Sequence, residues 1–89
     1  MDDVKDTLRR FILDTFLPGE APENLHDDTP LLTSGIIDSL AALALASFVE
    51  DRFDISLDVY DMNVERFDRI DDIAATVIQK QARVLLGRR

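Results

Sequence analysis

Apolar residues recur along the first part of the chain as Val4, Leu8, Phe11, Ile12 and Phe16, a spacing that places them on one stripe of a helix. The stripe predicts an amphipathic helix over about residues 3–17. Asp2, Asp3 and Asp6 fall in its first turn, where the helix dipole favours negative charge, and Pro18-Gly19 ends it. From Pro18 to Ile37 the pattern dissolves. Three prolines, two glycines, Asn24 and Ser34 punctuate the stretch, while Leu25, Leu31, Leu32 and Ile36 supply apolar anchors, which predicts a long pinned loop. A loop of this length in a small domain usually carries function.

Periodicity returns at Leu40. The run Leu40 to Val49 consists of strong helix formers with apolar side chains on nearly every face and continues through Glu50, Asp51 and Arg52 to Phe53, predicting a second helix. Asp38 is a preferred N-cap type, which places Ser39 in the first turn beside unpaired amides and the positive dipole end, a position suited to a phosphate. Asp54 to Val59 alternates polar and apolar but has no strand partner, so it reads as an extended linker. Val64 to Phe67 has space for one helical turn. Ile70, Ile73, Ala74, Val77, Ile78 and Leu85 form a last helical stripe, with Asp68 as its expected cap and Asp71 and Asp72 near its start. From Gln79 the chain turns basic, and residues 83–89 are expected to fray, so truncation after Gln81 should barely change stability.

Eighty-nine residues make one domain, and a composition 46% apolar and 31% charged is that of a folded chain rather than a disordered one. The net charge of -8 and pI near 4.4 repel phosphate backbones and anionic headgroups, so basic protein patches are the expected partners and neither nucleic acid nor membrane insertion is. The acidic N-terminus lacks the features of a secretion signal, and with no cysteine there is no disulfide, zinc-thiolate or thiol nucleophile. A cytoplasmic location is the expectation.

The junction Leu32-Thr33-Ser34-Gly35-Ile36-Ile37-Asp38-Ser39-Leu40 resembles the phosphopantetheine-attachment motif of acyl carrier proteins. The likeness extends to the order of elements around it: amphipathic helix, long loop, Asp-Ser-Leu opening a second helix, a short third helix and an amphipathic fourth. It implies an all-α fold, an antiparallel bundle of three main helices and one short one with the long loop after the first. It further implies a non-catalytic, monomeric carrier in which Ser39 bears 4'-phosphopantetheine from coenzyme A through a phosphodiester and the arm's thiol holds acyl or aminoacyl intermediates as thioesters. Asp38 would cap or orient the junction and Leu40 would anchor the helix start. The implied partners are a phosphopantetheinyl transferase, an adenylating ligase or acyltransferase that loads the arm, and downstream synthases or transferases. Glu50, Asp51, Asp54, Asp58, Asp61 and Glu65 form the densest acidic region, read either as a solvated face or as a docking surface for basic patches on those enzymes. Ala41 and Ala42 stand where fatty-acid carriers often have acidic residues, so the pattern looks more like stand-alone carriers served by a dedicated ligase, such as D-alanyl and aminoacyl carriers. The cargo stays open among fatty acyl, polyketide, aminoacyl and D-alanyl groups.

Three other readings compete. Asp54, Ser56, Asp58 and Glu65 occupy positions 1, 3, 5 and 12 of a calcium loop, but Val59 stands where a glycine is needed and Asp61 where an apolar residue is usual. Ser39 as a hydrolytic nucleophile with His26 lacks the glycine-flanked elbow and the sheet that strains it. An unmodified acidic interaction domain is the main alternative. The expected core draws on Leu8, Phe11, Ile12, Phe16, Leu31, Leu43, Phe53, Ile73, Val77 and Ile78.

Overall fold

The computed structural model describes residues 3–58 and 60–87, and among these it contains four α-helices and no strand. Helix α1 spans Asp3–Phe16, α2 Ser39–Phe53, α3 Val64–Phe67 and α4 Ile70–Gly87, with a single 3-10 turn at Pro22–Asn24. This is the expected arrangement of three main helices and one short one. Met1, Asp2, Val59, Arg88 and Arg89 lie outside the described residues, as do the side chains of Asp3, Val84, Leu85 and Leu86. The segment expected to fray is helical in its backbone as far as Gly87.

Each helix end has a local cause. The Leu17 amide donates back to Ile12 and Leu13, and Gly19, at φ +91°, takes the left-handed turn beyond Pro18. Asp54 closes α2 in the same left-handed region, φ 56°, with its amide donating to the Glu50 carbonyl. Asn63 caps α3 by accepting from the Arg66 amide at 3.0 Å.

Helix α1 packs against both α2 and α4, and α3 packs on α4. The fully buried side chains that join them are Leu8, Ile12, Leu31, Leu45, Val49, Phe67, Ile70, Ile73 and Val77. Burying a Leu, Ile or Phe contributes roughly 1.5–3 kcal/mol each, so these residues carry the fold. Phe11, Phe16 and Phe53 are partly buried at its edge, and Phe11 stacks on Phe48 with ring centroids 4.0 Å apart. The expected core needs two corrections. Leu43 and Ile78 are 58% and 57% exposed, on the outer faces of α2 and α4, while Leu45 and Ala74 point inward instead.

The long loop is tied down by charge as well as by Leu25, Leu31 and Ile37, all buried. Arg9 of α1 donates to the Leu25 carbonyl and pairs with Asp27, and Lys5 reaches Asp71 at 2.8 Å, bringing the starts of α1 and α4 together. The Asp71 amide donates to the Asp27 carbonyl at 3.0 Å. The loop thus lies across the bundle rather than away from it.

Candidate functional site

Ser39 opens α2. Asp38 before it is extended (φ -100°, ψ -173°), and its carboxylate accepts from the Ala41 amide at 2.8 Å, the N-cap geometry expected of an Asp there. Ser39 itself is exposed, and its hydroxyl stands at the end of the helix where first-turn amides lack intrahelical acceptors and the dipole is positive. A phosphodiester attached at that hydroxyl would meet favourable charge and no steric barrier.

What holds Ser39 in place is the turn that precedes it. The Ile37 amide donates to the Leu31 carbonyl at 3.1 Å, closing a turn that passes through Gly35 at φ +84°. Both ends of this turn are buried, Leu31 at 0% and Ile37 at 3% exposure. Asp68 grips the turn from the α3–α4 junction. Its Oδ1 accepts from the amides of Leu32 at 2.7 Å and Thr33 at 3.0 Å, its Oδ2 accepts from the Thr33 hydroxyl at 2.8 Å, and its carbonyl accepts from the Leu31 amide at 2.7 Å. Asp68 was expected to cap α4; its carboxylate instead serves the loop, and two amides and a hydroxyl from there satisfy a buried charge that water barely reaches. Burial pushes this carboxyl up, but the Thr33 and Leu32 donors together outweigh burial and hold it below the ordinary Asp value.

Beside Ser39 lies an open cleft of about 640 Å³, lined by Leu32, Ile37, Ala42, Leu43, Met62 and Val64. Two of its apolar side chains are exposed, Leu43 at 58% and Val64 at 50%, and Leu40, next to Ser39 in the chain, is 76% exposed. Leu40 therefore does not anchor the helix start by burial, as expected of it; it projects beside Ser39.

The acidic group separates into two kinds. Asp51, Asp54, Asp58 and Glu65 are exposed. Asp61 is internal, 4% exposed, accepting from the Asp58 amide at 3.0 Å and pairing with Lys80 at 2.9 Å. Burial raises its carboxyl, and the Asp58 amide and Lys80 more than reverse that, leaving it below the usual Asp value. Glu50 is half-buried and accepts from the Leu57 amide at 2.8 Å, pinning the linker after α2. These two belong to the fold rather than to the surface. His26 is exposed; its backbone amide donates to the Thr29 hydroxyl at 2.9 Å and its carbonyl accepts from the Thr29 amide at 3.2 Å.

Residues 17–77 match the family described as the phosphopantetheine attachment site, which takes in more than half of the chain. The chain belongs to that family and is a carrier protein whose prosthetic group is covalent 4'-phosphopantetheine. It is also similar, at 31% identity and a TM-score of 0.71, to a chain in a solved structure described as "Crystal structure of FAD-dependent dehydrogenase"; the match covers 79% of this chain and 97% of that one. No curated protein matches. Among the described residues no helix is long and apolar enough to cross a membrane.

Proposed function

We infer that Ser39 bears the phosphopantetheine arm and that the chain carries acyl or aminoacyl intermediates as thioesters on the arm's thiol, delivering them to partner enzymes. The observation that carries this is the exposed Ser39 hydroxyl at the capped start of α2, inside the span that matches the family. In the attachment step the Ser39 oxygen forms a bond to the pantetheine-bearing phosphorus of coenzyme A. The pyrophosphate bond breaks, adenosine 3',5'-bisphosphate leaves, and the serine proton passes to a base of the transferase. The chain supplies the nucleophile and its setting; catalysis belongs to the transferase, the loading ligase or acyltransferase and the downstream enzymes, in the cytoplasm.

The exposed carboxylates Asp51, Asp54, Asp58 and Glu65 steer basic partners, while Leu40 and Leu43 flank Ser39, so an enzyme closing on that hydroxyl covers them. One class of downstream partner has specific support. The similar chain in the flavoenzyme structure is shorter than this one and is covered almost entirely by the carrier fold, so a flavin-dependent dehydrogenase that withdraws a hydride and a proton from adjacent carbons of the cargo, reducing its flavin, fits as a partner.

Incubation with coenzyme A, magnesium and a promiscuous phosphopantetheinyl transferase should add the mass of one phosphopantetheine, and Ser39→Ala should abolish the gain. An unmodified but folded wild-type protein would overturn this reading.

A further inference from the structure

We propose that Asp68 is a positioning residue for the modification of Ser39, holding the Leu31–Ile37 turn in the form that a transferase binds; this rests on Ser39 being the attachment residue. Four hydrogen bonds converge on this one residue from three consecutive loop positions: the amides of Leu31, Leu32 and Thr33 and the Thr33 hydroxyl. Asp68 lies at the junction of α3 and α4 and is 5% exposed, so the clamp joins that junction to a segment 35 and 36 residues earlier that leads into the site. From Leu31 the connection runs through its carbonyl to the Ile37 amide, and Ile37 is adjacent to Asp38, whose carboxylate starts α2. The turn's other hydrogen bonds stay within residues 30–37: the Gly35 amide donates to the Leu32 carbonyl, the Ile37 amide to the Leu31 carbonyl, and the Ser34 hydroxyl donates to the Pro30 carbonyl and accepts from the Ile36 amide, while Thr33, Ser34 and Gly35 are exposed and Gly35 sits at a positive φ.

A turn released from Asp68 would leave the helix and the serine intact but would have to be ordered each time a transferase binds. Ordering cost appears as weaker binding of the carrier, not as slower chemistry once bound. The positioning role therefore raises the KM for the carrier and leaves kcat little changed. Charge-assisted bonds to two amides and a hydroxyl are among the stronger ones, so removing them all should be felt as about a tenfold effect.

The test is steady-state modification of the full chain by the transferase with coenzyme A, comparing wild type, Asp68→Ala, Asp68→Asn, Thr33→Val and, as a control, Val77→Ala. Val77 is fully buried in α4 and takes no part in the clamp. We expect KM to rise about tenfold in Asp68→Ala and about threefold in Asp68→Asn, which keeps the shape but loses the charge. In Thr33→Val, which deletes one bond at an exposed position, it should rise about twofold. Hydrogen exchange at Leu32 and Thr33 should accelerate in the same order while the α2 and α4 amides keep their protection. Val77→Ala should lower the melting temperature without moving KM. Should Asp68→Ala fail to fold, Asp68→Asn and Thr33→Val decide the matter. Wild-type KM in those two variants, or a KM in Val77→Ala raised as much as theirs, would overturn the positioning role. Ser39→Ala runs alongside: if it is still modified, the assignment of Ser39 fails and the role of Asp68 with it, whereas if it is inert and the Asp68 variants behave as wild type, only the positioning role fails.

Discussion

Single side chains decide where the site begins. Asp38 was legible from the sequence because N-capping is a local matter: one short carboxylate meets an amide three residues on, and nothing distant is needed. Asp38→Ala should cost about 1 kcal/mol, lowering the melting temperature by roughly 4–8 °C in a chain of this size, without unfolding it at room temperature. Asp68 was not legible in the same way. Its place before a helical stripe suggested a cap, yet the donors that claim it lie 35 and 36 residues earlier. Its lowered carboxyl value has a consequence for acid stability. As pH falls, the unfolded chain takes up the proton first, so the contribution is full above the unfolded value near 4 and is lost as pH drops through the folded value. Asp68→Asn should therefore be less stable at pH 7 and show a shallower acid limb below about pH 4 when melting temperature is followed against pH.

Helices differ in how plainly they declare their inner face. The stripe of α1 alternates clearly with charge, and Leu8 and Ile12 are buried as expected. Helix α2 is apolar almost all round, so its pattern names no inner face; tertiary packing selected Ala42, Leu45, Ala46 and Val49 and left Leu40 and Leu43 outside. The acidic region posed the opposite difficulty, since a run of carboxylates looks uniformly solvated until a cation is found for one of them. For Asp61 that cation is Lys80 on α4, itself 16% exposed at the side chain. The pair fastens the approach to α3 onto α4. Lys80→Met should destabilise the protein by about 2 kcal/mol in chemical denaturation, because it removes the nearer of two cations from a buried carboxylate and leaves it with Arg66 at 3.7 Å and the Asp58 amide. Adding Asp61→Asn to that variant should recover part of the loss, and simple additivity of the two changes would mean the pair is not coupled.

The whole molecule combines a net charge of -8 with exposed apolar side chains beside Ser39, and the two should act on different steps of partner encounter. Exposed charges accelerate approach and are screened over about 8 Å at physiological ionic strength, so the association rate with a transferase should fall as salt rises. Contacts made by Leu43 act after arrival: Leu43→Ala should speed dissociation at every salt concentration and leave the salt slope of association alone, as read by stopped-flow binding. A salt-independent association rate would leave steering with no role.

The clamp between Asp68 and the Leu31–Thr33 turn also sets an order of events during synthesis. The serine is made before the carboxylate that shapes its surroundings, and α4, which follows that carboxylate in the chain, is made later still. A nascent chain that has emerged only as far as α2 thus presents Ser39 on an unformed loop. If Ser39 is the attachment residue, a chain in which α4 has docked should be the better substrate by the roughly tenfold expected of the clamp, so that attachment of the arm discriminates in favour of folded carriers.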